Sequence, residues 1–383
     1  MRVAMVSCFM KTSYGAYTNS LCRAIGPIIG RDVDIISSNC GCGDYHAKNR
    51  ILYGPGCRFF EFPHVPFSPQ QPPGLAMYKY RGRLVLGDLA YWGRAQVYSH
   101  LSKDADVAHF QQVLGAFGSQ AVFHWIRTSP KVRKVVTVHE LDPYQLAFGH
   151  KNSTYNKADR IIVLFDDMKD RLVSLGVQSH RIKVVHYGTD IVTSDRRARD
   201  GILYYGGHHF NLDKGIEVLL KALKRILEKR NYANLKLKIH GHYGNFPPPP
   251  ILDLVSSYGL TDHIVWLNNI YEEEMTRQYA TSLFLVLPFK GSFAGMVATR
   301  AMACGLPVIG TKEAGLPDHL GELGIYTKVG DDKALEEEML RLLDNQNIRE
   351  YMSEPLVKRA EEMYSWEKIA ADTVQIYRDV LSE

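Results

Sequence analysis

The sequence contains no apolar run that reaches the roughly 18 residues required by a membrane-spanning helix. Its first fifteen residues also lack a small-residue cleavage site, and they are predicted to contain a buried strand instead of a signal peptide. Apolar residues make up 45% and charged residues 23% of the chain, values typical of a folded globular protein. We therefore expect a cytoplasmic protein that is either soluble or peripheral at the inner face of the membrane.

Cysteine is scarce and unevenly placed, because five of the six cysteines occur in the first 57 residues. Cys40 and Cys42 flank one glycine, and Cys57 follows. A zinc site usually has cysteines separated by about two to four residues and a clear fourth ligand. Neither feature is present, although His46 is nearby. The pattern indicates reduced thiols and predicts no metal site.

Acidic residues are under-represented in the first half of the chain. Residues 1–190 contain 23 Lys/Arg and 14 Asp/Glu, a balance of +9, whereas residues 191–383 contain 23 and 27, a balance of −4. A basic half suits an anionic partner such as a phospholipid surface, a lipid phosphate or a polyanion, and the cluster 78–83 is the best local candidate for membrane contact. A solvated surface with chance asymmetry is the alternative interpretation. No nucleic-acid partner is expected.

The length of 383 residues predicts two domains, since one ordinary hydrophobic core does not accommodate it. Short apolar runs alternate with helical patterns, such as the apolar stripe from Ile216 to Leu227. Strands that are apolar throughout are typical of parallel sheets, so we expect doubly wound α/β sheets. The charged stretch 194–200 is interpreted as a linker between domains at 1–192 and 200–366. The predicted strands are Val3–Val6, Asp34–Ile36, Val135–Val138, Ile161–Leu164, Ile182–Val185, Ile202–Tyr205, Leu235–Ile239, Ile264–Leu267, Leu283–Leu287 and Pro307–Ile309.

Glycines follow several of these strands, at the end of the sheet where ligands bind in such folds. Gly15 lies between the first strand and a helix predicted from near Thr18. A glycine there lets the backbone approach a ligand, and the helix N-terminus behind it favours phosphate. A tight turn without a ligand is the alternative interpretation.

The second domain carries a stronger version of the same pattern. Its first strand leads through Gly207, His208 and His209 to Lys214, just before the amphipathic helix. Glycines, a helix N-terminus and a lysine together predict a pyrophosphate cradle, with Lys214 as the point charge. A solvent-facing loop is the alternative. A further glycine turn, at Gly241, follows the next strand, and the amides of Gly295 and Met296 at a predicted helix N-terminus are also candidates for phosphate contacts.

The segment Ala301–Thr311 resembles, nearly letter for letter, the signature of the family 4 glycosyltransferases. The resemblance extends along almost the whole chain. The other segments that resemble the family are Thr137–His139, Val184–Asp190, Leu283–Pro288, Gly315–Asp318 and the helix from Trp366 through Tyr377.

The resemblance implies a GT-B fold, in which two Rossmann-like domains have parallel sheets facing across a cleft and the C-terminal helix, 367–383, packs back on the first domain. It also implies a retaining glycosyltransferase that moves a sugar from a nucleoside diphosphate sugar to a glycan or lipid-linked acceptor, with no cofactor and no metal. Lys214 matches the lysine of the family's pyrophosphate-binding pair. A histidine, His209 or His208, stands in place of its arginine, and its charge depends on pH. His139 inherits the role of the histidine that contacts the transferred sugar or acceptor.

The chain departs from the family at two glutamates that hold hydroxyls of the donor. Ser292 and Arg300 occupy those positions. A carboxylate accepts hydrogen bonds from hydroxyls, whereas arginine only donates. Arg300 must therefore bind a phosphate, stack on the base or pair with an acidic group, while Ser292 retains a hydroxyl with less charge stabilisation. Two alternatives stay open: a non-catalytic subunit that binds a nucleotide-sugar or glycan, and a GT-B enzyme of another type, such as an epimerase or phosphorylase.

Overall fold

The structure, a computed structural model of the chain, describes most residues outside the loops. In the part described, no helix is long and apolar enough to cross a membrane. The interpreted linker lies mostly outside the described residues. The described residues are 1–7, 13–39, 57–63, 100–111, 131–139, 155–192, 199–207, 214–241, 247–268, 270, 272–291, 295–313 and 315–383.

The chain divides into two compact units. The first unit comprises Met1–Gly188 together with Trp366–Glu383, and the second comprises Thr189–Ser365. Each unit contains one parallel sheet with helices packed against it. The last helix of the chain therefore belongs to the same unit as the first strand.

The sheet of the first unit has seven parallel strands in the order β3-β2-β1-β4-β5-β6-β7. The strands are β1 Val3–Ser7, β2 Val33–Asn39, β3 Cys57–Pro63, β4 Val107–Gln111, β5 Arg133–Val138, β6 Arg160–Val163 and β7 Ile182–Val184. Each of the five residues of β4 is buried. Strands covered on both faces explain the almost continuous apolar runs in the sequence.

The longer described helices of the first unit are α1 Ser13–Ile29, α2 Asp166–Ser174 and α10 Trp366–Ser382. Helix α1 buries Tyr17, Leu21 and Ile25, which recur every four residues and form one stripe. Helix α10 packs against α1 and buries Tyr377 fully. The C-terminal helix thus completes the core of the first unit.

The sheet of the second unit has six parallel strands in the order β10-β9-β8-β11-β12-β13. The strands are β8 Ile202–Gly207, β9 Leu237–Gly241, β10 Ile264–Asn268, β11 Phe284–Leu287, β12 Val308–Thr311 and β13 Ile325–Thr327. Counted within the unit, this is the 3-2-1-4-5-6 order of a Rossmann sheet.

The second unit contains a series of described α-helices along its chain. They are α3 Ile216–Lys229, α4 Pro249–Ser257, α5 Glu272–Thr281, α6 Gly295–Ala303, α7 Leu316–Leu320, α8 Asp332–Asp344 and α9 Gln346–Tyr364. The apolar stripe predicted for α3 is confirmed, since Ile216, Leu219, Leu220 and Leu223 are fully buried.

All ten strands predicted from the sequence are present, within a few residues of the expected ends. Strands β3, β4 and β13 were not predicted. Strand β13 has only three residues, and polar residues interrupt the other two, as His109 and Gln111 do in β4. A strand with buried polar side chains lacks the continuous apolar run that marks its neighbours.

Candidate functional site

The strand order reverses once in each sheet. In the first unit β1 lies between β2 and β4, and in the second unit β8 lies between β9 and β11. In open α/β sheets the ligand crevice lies beyond the carboxyl ends of the strands at such a point. The relevant positions are therefore those that follow β1 and β4 in one unit, and β8 and β11 in the other.

A tight turn joins Lys214 to α3 beyond the end of β8. Gly215 has a φ of 68°, the left-handed conformation that favours glycine. A Cβ built on Gly215 would lie 2.0 Å from the carbonyl oxygen of Pro288, just after β11. The hydroxyl of Tyr204 donates to the carbonyl of Lys214 over 3.0 Å. These contacts fix the turn at the point where the strand order reverses.

Lys214 itself is half-buried, with Nζ 5.4 Å from the centroid of the Phe289 ring. Burial lowers the pKa of Lys214 to about 8. The face of the Phe289 ring attracts the ammonium, but burial has removed much of its water and so disfavours its charge. A bound phosphate would stabilise the charged form of Lys214. The histidines predicted beside it, His208 and His209, lie outside the described residues, while Gly207 is the last residue of β8.

Gly241 is the last residue of β9, next to β8. The preceding residue, His240, is buried and stacks on Tyr205 of β8, with ring centroids 4.6 Å apart and planes 17° apart. The sequence analysis did not identify this pair. The two rings lie on adjacent strands, just before the strand ends at Gly207 and Gly241.

Gly295 and Met296 form the first turn of α6, and Gly295 is buried. The amides of a first helical turn have no acceptor within the helix, which makes such a turn suited to binding an anion. Arg300 is half-buried in the last turn of the same helix. Burial raises the pKa of the Cys304 thiol to about 12, while the positive charges of Arg199 and Arg300 act in the opposite direction and favour the thiolate. Ser292 lies outside the described residues.

Gly15 is not in the turn before the first helix, as the sequence analysis expected. Helix α1 begins at Ser13, so Gly15 lies buried inside its first turn. A glycine disfavours a helix interior, but the first turn depends less on helix propensity, because packing of Tyr17 and Leu21 holds the helix there. The amide of Gly15 remains one of the groups without an intrahelical acceptor.

In the first unit, His139 follows β5 and is 1% exposed. Its Nε2 lies 2.8 Å from Oε1 of Gln111, the last residue of β4. The ring of Tyr17 meets the His139 ring edge-on at 5.0 Å, and the Tyr187 hydroxyl donates to the His139 carbonyl over 3.4 Å. Burial lowers the pKa of His139 to about 3, so the ring is neutral at physiological pH.

Gln111 and its neighbour His109 were not identified from the sequence. Both are buried side chains of β4, and Gln111 ends the strand at the reversal point of the first sheet. Burial, with a smaller contribution from His139, lowers the pKa of His109 to about 3. The signal available in the sequence was the alternation of polar residues in Val107–Gln111, which a search for apolar runs passes over.

Gly188 lies against the indole ring of Trp366. A Cβ at Gly188 would lie 2.3 Å from a ring carbon, so only glycine fits there without displacing the indole. The same indole meets Tyr17 at 5.4 Å. The glycine of the segment Val184–Asp190 therefore anchors the start of α10 beside the residues around His139.

Within the described residues, no group of three or more His, Cys, Asp or Glu side chains is placed to hold a metal ion. The cationic and amide groups described above, Lys214 and the first turn of α6, are instead suited to an anion. The two parallel sheets, one in each unit, define a pair of Rossmann-like α/β domains.

Family models assign the chain more narrowly. The model for glycosyl transferases group 1 matches residues 199–345, and the model for the glycosyl transferase 4-like domain matches residues 14–188. The chain belongs to this glycosyltransferase family. The two matched segments fall in the second and first structural units, respectively.

Individual relatives agree with this assignment. The MMP alpha-(1->4)-mannosyltransferase of Mycolicibacterium hassiacum is 23% identical over 100% of this chain and 99% of its own length. Two other curated relatives, each 30% identical, match over only 44% and 45% of their own lengths, so the chain aligns with less than half of each.

Solved structures share the fold. A sucrose-phosphate synthase from Thermosynechococcus elongatus superposes with a TM-score of 0.76 at 19% identity, covering 100% of both chains. The Anabaena protein HepE, solved in complex with UDP, superposes with a TM-score of 0.73 at 13% identity, covering 99% of this chain and 100% of that one. At these identities the likeness establishes the fold alone.

Proposed function

We propose that the protein is a retaining glycosyltransferase that transfers a sugar from a nucleoside diphosphate sugar to a glycan or lipid-linked acceptor. The observation that carries the proposal is the turn from Lys214 to Gly215, beyond β8, where the strand order of the second sheet reverses. This turn offers one half-buried cation and a backbone that approaches the strand end closely. A diphosphate matches both features.

Donor binding by the second unit uses three further groups in this proposal. The amides of Gly295 and Met296 bind the diphosphate from the first turn of α6. Gly207 and Gly241, at the ends of adjacent strands, let the backbone approach the nucleotide. The anionic charge of the donor is balanced by Lys214 and helix N-termini, so the proposed reaction needs no metal and no cofactor.

The names of the relatives support a sugar-transfer reaction and a UDP-type donor. The relative that matches the full chain is named a mannosyltransferase, and HepE was solved with UDP. We take UDP as the first nucleotide to test for this reason. The support for an acceptor at the membrane surface is the basic charge of the first half of the sequence, which would favour an anionic, lipid-linked acceptor.

The residues that replace the family's glutamates have altered roles in this proposal. Arg300 donates to an acceptor atom or anionic group of the donor, since a guanidinium cannot accept a hydrogen bond from a hydroxyl. Ser292 keeps one hydroxyl contact. His139, neutral because it is buried, forms a hydrogen bond with a hydroxyl of the sugar or acceptor.

The experiment combines a binding panel with turnover. Thermal unfolding is measured with UDP, GDP, ADP, CDP and dTDP, and a ligand at 100 times its dissociation constant adds about 2.7 kcal/mol of stability. A shift with one nucleotide names the base, and its sugars are then tested for transfer, with the anomeric configuration of the product read by NMR. Retention of configuration supports the proposal, whereas inversion contradicts it.

A second function is favoured by one specific observation, the presence of Ser292 and Arg300 where the family has two carboxylates. A non-catalytic subunit that binds a nucleotide-sugar or glycan would tolerate this change. Binding of a nucleotide with no transfer from any of its sugars would support that alternative. No shift with any nucleotide, in folded protein, would contradict the donor site itself.

A further inference from the structure

Three polar side chains lie buried in the centre of the first sheet, next to His139. Gln111, His109 and Thr137 are between 0% and 1% exposed and occupy β4 and β5. A buried polar group without a hydrogen bond is costly, so these side chains are expected to bond one another. They form a continuous chain that ends at His139.

The contacts run across the two strands. Oε1 of Gln111 lies 2.8 Å from His139 Nε2, and Nε2 of Gln111 lies 3.3 Å from His109 Nε2. The Thr137 hydroxyl lies 2.7 Å from the same nitrogen of His109. Nδ1 of His109 lies 2.5 Å from the hydroxyl of Tyr377, on α10.

The sulfur of Met5 decides which way the Gln111 amide points. The amide nitrogen donates to Sδ of Met5 over 3.1 Å. A thioether accepts hydrogen bonds but cannot donate them, so the nitrogen and not the oxygen of Gln111 faces Met5. The oxygen therefore faces His139, whose Nε2 must carry the proton.

The neutral His109 ring has a single lone pair, and two arrangements fit its contacts. Either Nε2 accepts from the Thr137 hydroxyl and the Nδ1–H donates to Tyr377, or the Nε2–H donates to Thr137 and Nδ1 accepts from the Tyr377 hydroxyl. His139 is neutral and carries its proton on Nε2, so its lone pair is on Nδ1. The proton on His139 Nε2 is the same in both arrangements, because it depends on Gln111 and Met5 and not on His109.

We propose that Gln111 is a positioning residue that holds His139 in the Nε2–H tautomer, with Nδ1 as an acceptor for a substrate hydroxyl. The hydroxyl contact rests on the proposed function, but the tautomer does not. A nitrogen in this orientation accepts from a sugar or acceptor hydroxyl and cannot donate to a phosphate. Burial strengthens such a hydrogen bond because water does not compete for it.

The position of Gln111 is consistent with this role. It ends β4 at the reversal point of the first sheet, where ligands of this fold class bind. Met5 and His109 lie on the nitrogen side of the Gln111 amide, so rotation of the amide would break both of these contacts and the one with His139. A merely structural role for Gln111 would require satisfied hydrogen bonds but no particular tautomer of His139.

The test reads the tautomer directly in the full chain labelled with nitrogen-15 histidine. Correlation of ring protons with ring nitrogens distinguishes a protonated from an unprotonated nitrogen, and the His139→Asn variant assigns the His139 signal. We expect the wild-type spectrum to show a proton on Nε2 and none on Nδ1. A proton on Nδ1 would overturn the proposal, and this outcome does not depend on any substrate.

Two variants of Gln111 separate positioning from packing. Gln111→Met keeps the shape but removes the acceptor, so we expect a second tautomer of His139 and a fall in kcat of at least about tenfold, with KM for the donor little changed. Gln111→Glu keeps an oxygen facing His139 but loses the N–H groups that face Met5 and His109, and its carboxylate stabilises a charged imidazole, so we expect it to raise the His139 pKa and favour a ring protonated on both nitrogens.

The outcomes distinguish failure of this inference from failure of the proposed function. An unchanged tautomer in Gln111→Met, in protein with a normal unfolding transition, would overturn the positioning role. If Gln111→Met fails to fold, the wild-type spectrum still decides the tautomer of His139. Wild-type protein with the expected tautomer but no transfer activity would contradict the proposed function and leave the role of Gln111 in place.

Discussion

Lys214 lies over the ring of Phe289, with its Nζ 5.4 Å from the ring centroid. The ring face attracts the Lys214 ammonium but does not replace the water lost on burial. Burial therefore lowers the pKa of Lys214 to about 8. A diphosphate that binds beside Lys214 favours the charged form, so affinity depends on the protonation state of one lysine. We expect UDP affinity, measured by calorimetry, to fall as pH rises through about 8, well below the ordinary lysine pKa of about 10.4.

Two variants control this prediction. Lys214→Ala should bind UDP at least tenfold more weakly at neutral pH, a loss of about 1.4 kcal/mol, and should lose the pH dependence near 8. Phe289→Leu removes the ring while keeping an apolar side chain, so the pH dependence should persist because burial is its first cause. Equal UDP affinity in Lys214→Ala and wild type would exclude the proposed cradle.

A side chain at Gly215 should destabilise the fold through a clash with the Pro288 carbonyl, and this effect can be separated from the strain of its φ angle. Gly215 and Gly259 both have a φ of 68°, but a Cβ would lie 2.0 Å from the Pro288 carbonyl at Gly215 and has nothing within 4 Å at Gly259. Left-handed strain costs roughly 1–2 kcal/mol for a residue with a Cβ. We expect Gly259→Ala to lose about that much unfolding free energy.

Gly215→Ala should lose at least about 2 kcal/mol more than Gly259→Ala, because the clash adds to the strain. It should also weaken UDP binding, since the turn that carries Lys214 must shift. Denaturant unfolding measures both free energies. Similar losses in the two variants would mean that the contact with Pro288 is absent in solution.

The periodic features of the fold could be predicted from the sequence because each reflects a repeated physical requirement. Strands buried on both faces require continuous apolar residues, and α3 requires one apolar stripe, so both were identified. Gly15 was misplaced because its residue type argues against a helix, while the packing of Tyr17 that holds α1 is a tertiary effect.

The candidate site was predictable only where a local motif carries it. The glycine turn before α3 and the start of α6 are such motifs, and the structure places Lys214 and Gly295 in them. The chain from His139 through Gln111 and His109 to Tyr377 joins residues that are up to 268 positions apart in the sequence. No local pattern reports that arrangement, because it depends on which strands become neighbours.

Arg300 provides a charge-reversal test of the altered donor contacts. If Arg300 donates to an anionic or acceptor group of the donor, Arg300→Glu should weaken UDP or UDP-sugar binding by at least about tenfold, or 1.4 kcal/mol. Arg300→Lys keeps the charge but not the planar geometry and should lose less. Lys333→Glu, at an exposed position on α8, makes the same charge change elsewhere in the second unit and should leave affinity unchanged. Tighter binding by Arg300→Glu would indicate instead that the position still contacts ribose hydroxyls.

Glu336 ties α8 to α3 through a buried ion pair, which makes the second unit sensitive to acid. Glu336 is 3% exposed and accepts from Arg225 over 2.6 Å and from Lys229 over 2.5 Å. Burial by itself would raise the pKa of Glu336, but the hydrogen bonds from Lys229 and Arg225 outweigh it, so the pKa is lowered. A lowered pKa in the folded state stabilises the fold above the unfolded value of about 4.3, and this contribution is lost as pH falls through the folded value.

We therefore expect Glu336→Gln to reduce the unfolding free energy of the second unit by about 1–3 kcal/mol at neutral pH. The difference from wild type should shrink below about pH 4, where the wild-type carboxylate also becomes protonated. Glu337→Gln, exposed on the same helix, is the matched control and should stay within about 0.5 kcal/mol of wild type. Denaturant unfolding at several pH values measures the difference, and a Glu336→Gln loss that stays constant from neutral to acid pH would show that the ion pair does not carry this stability.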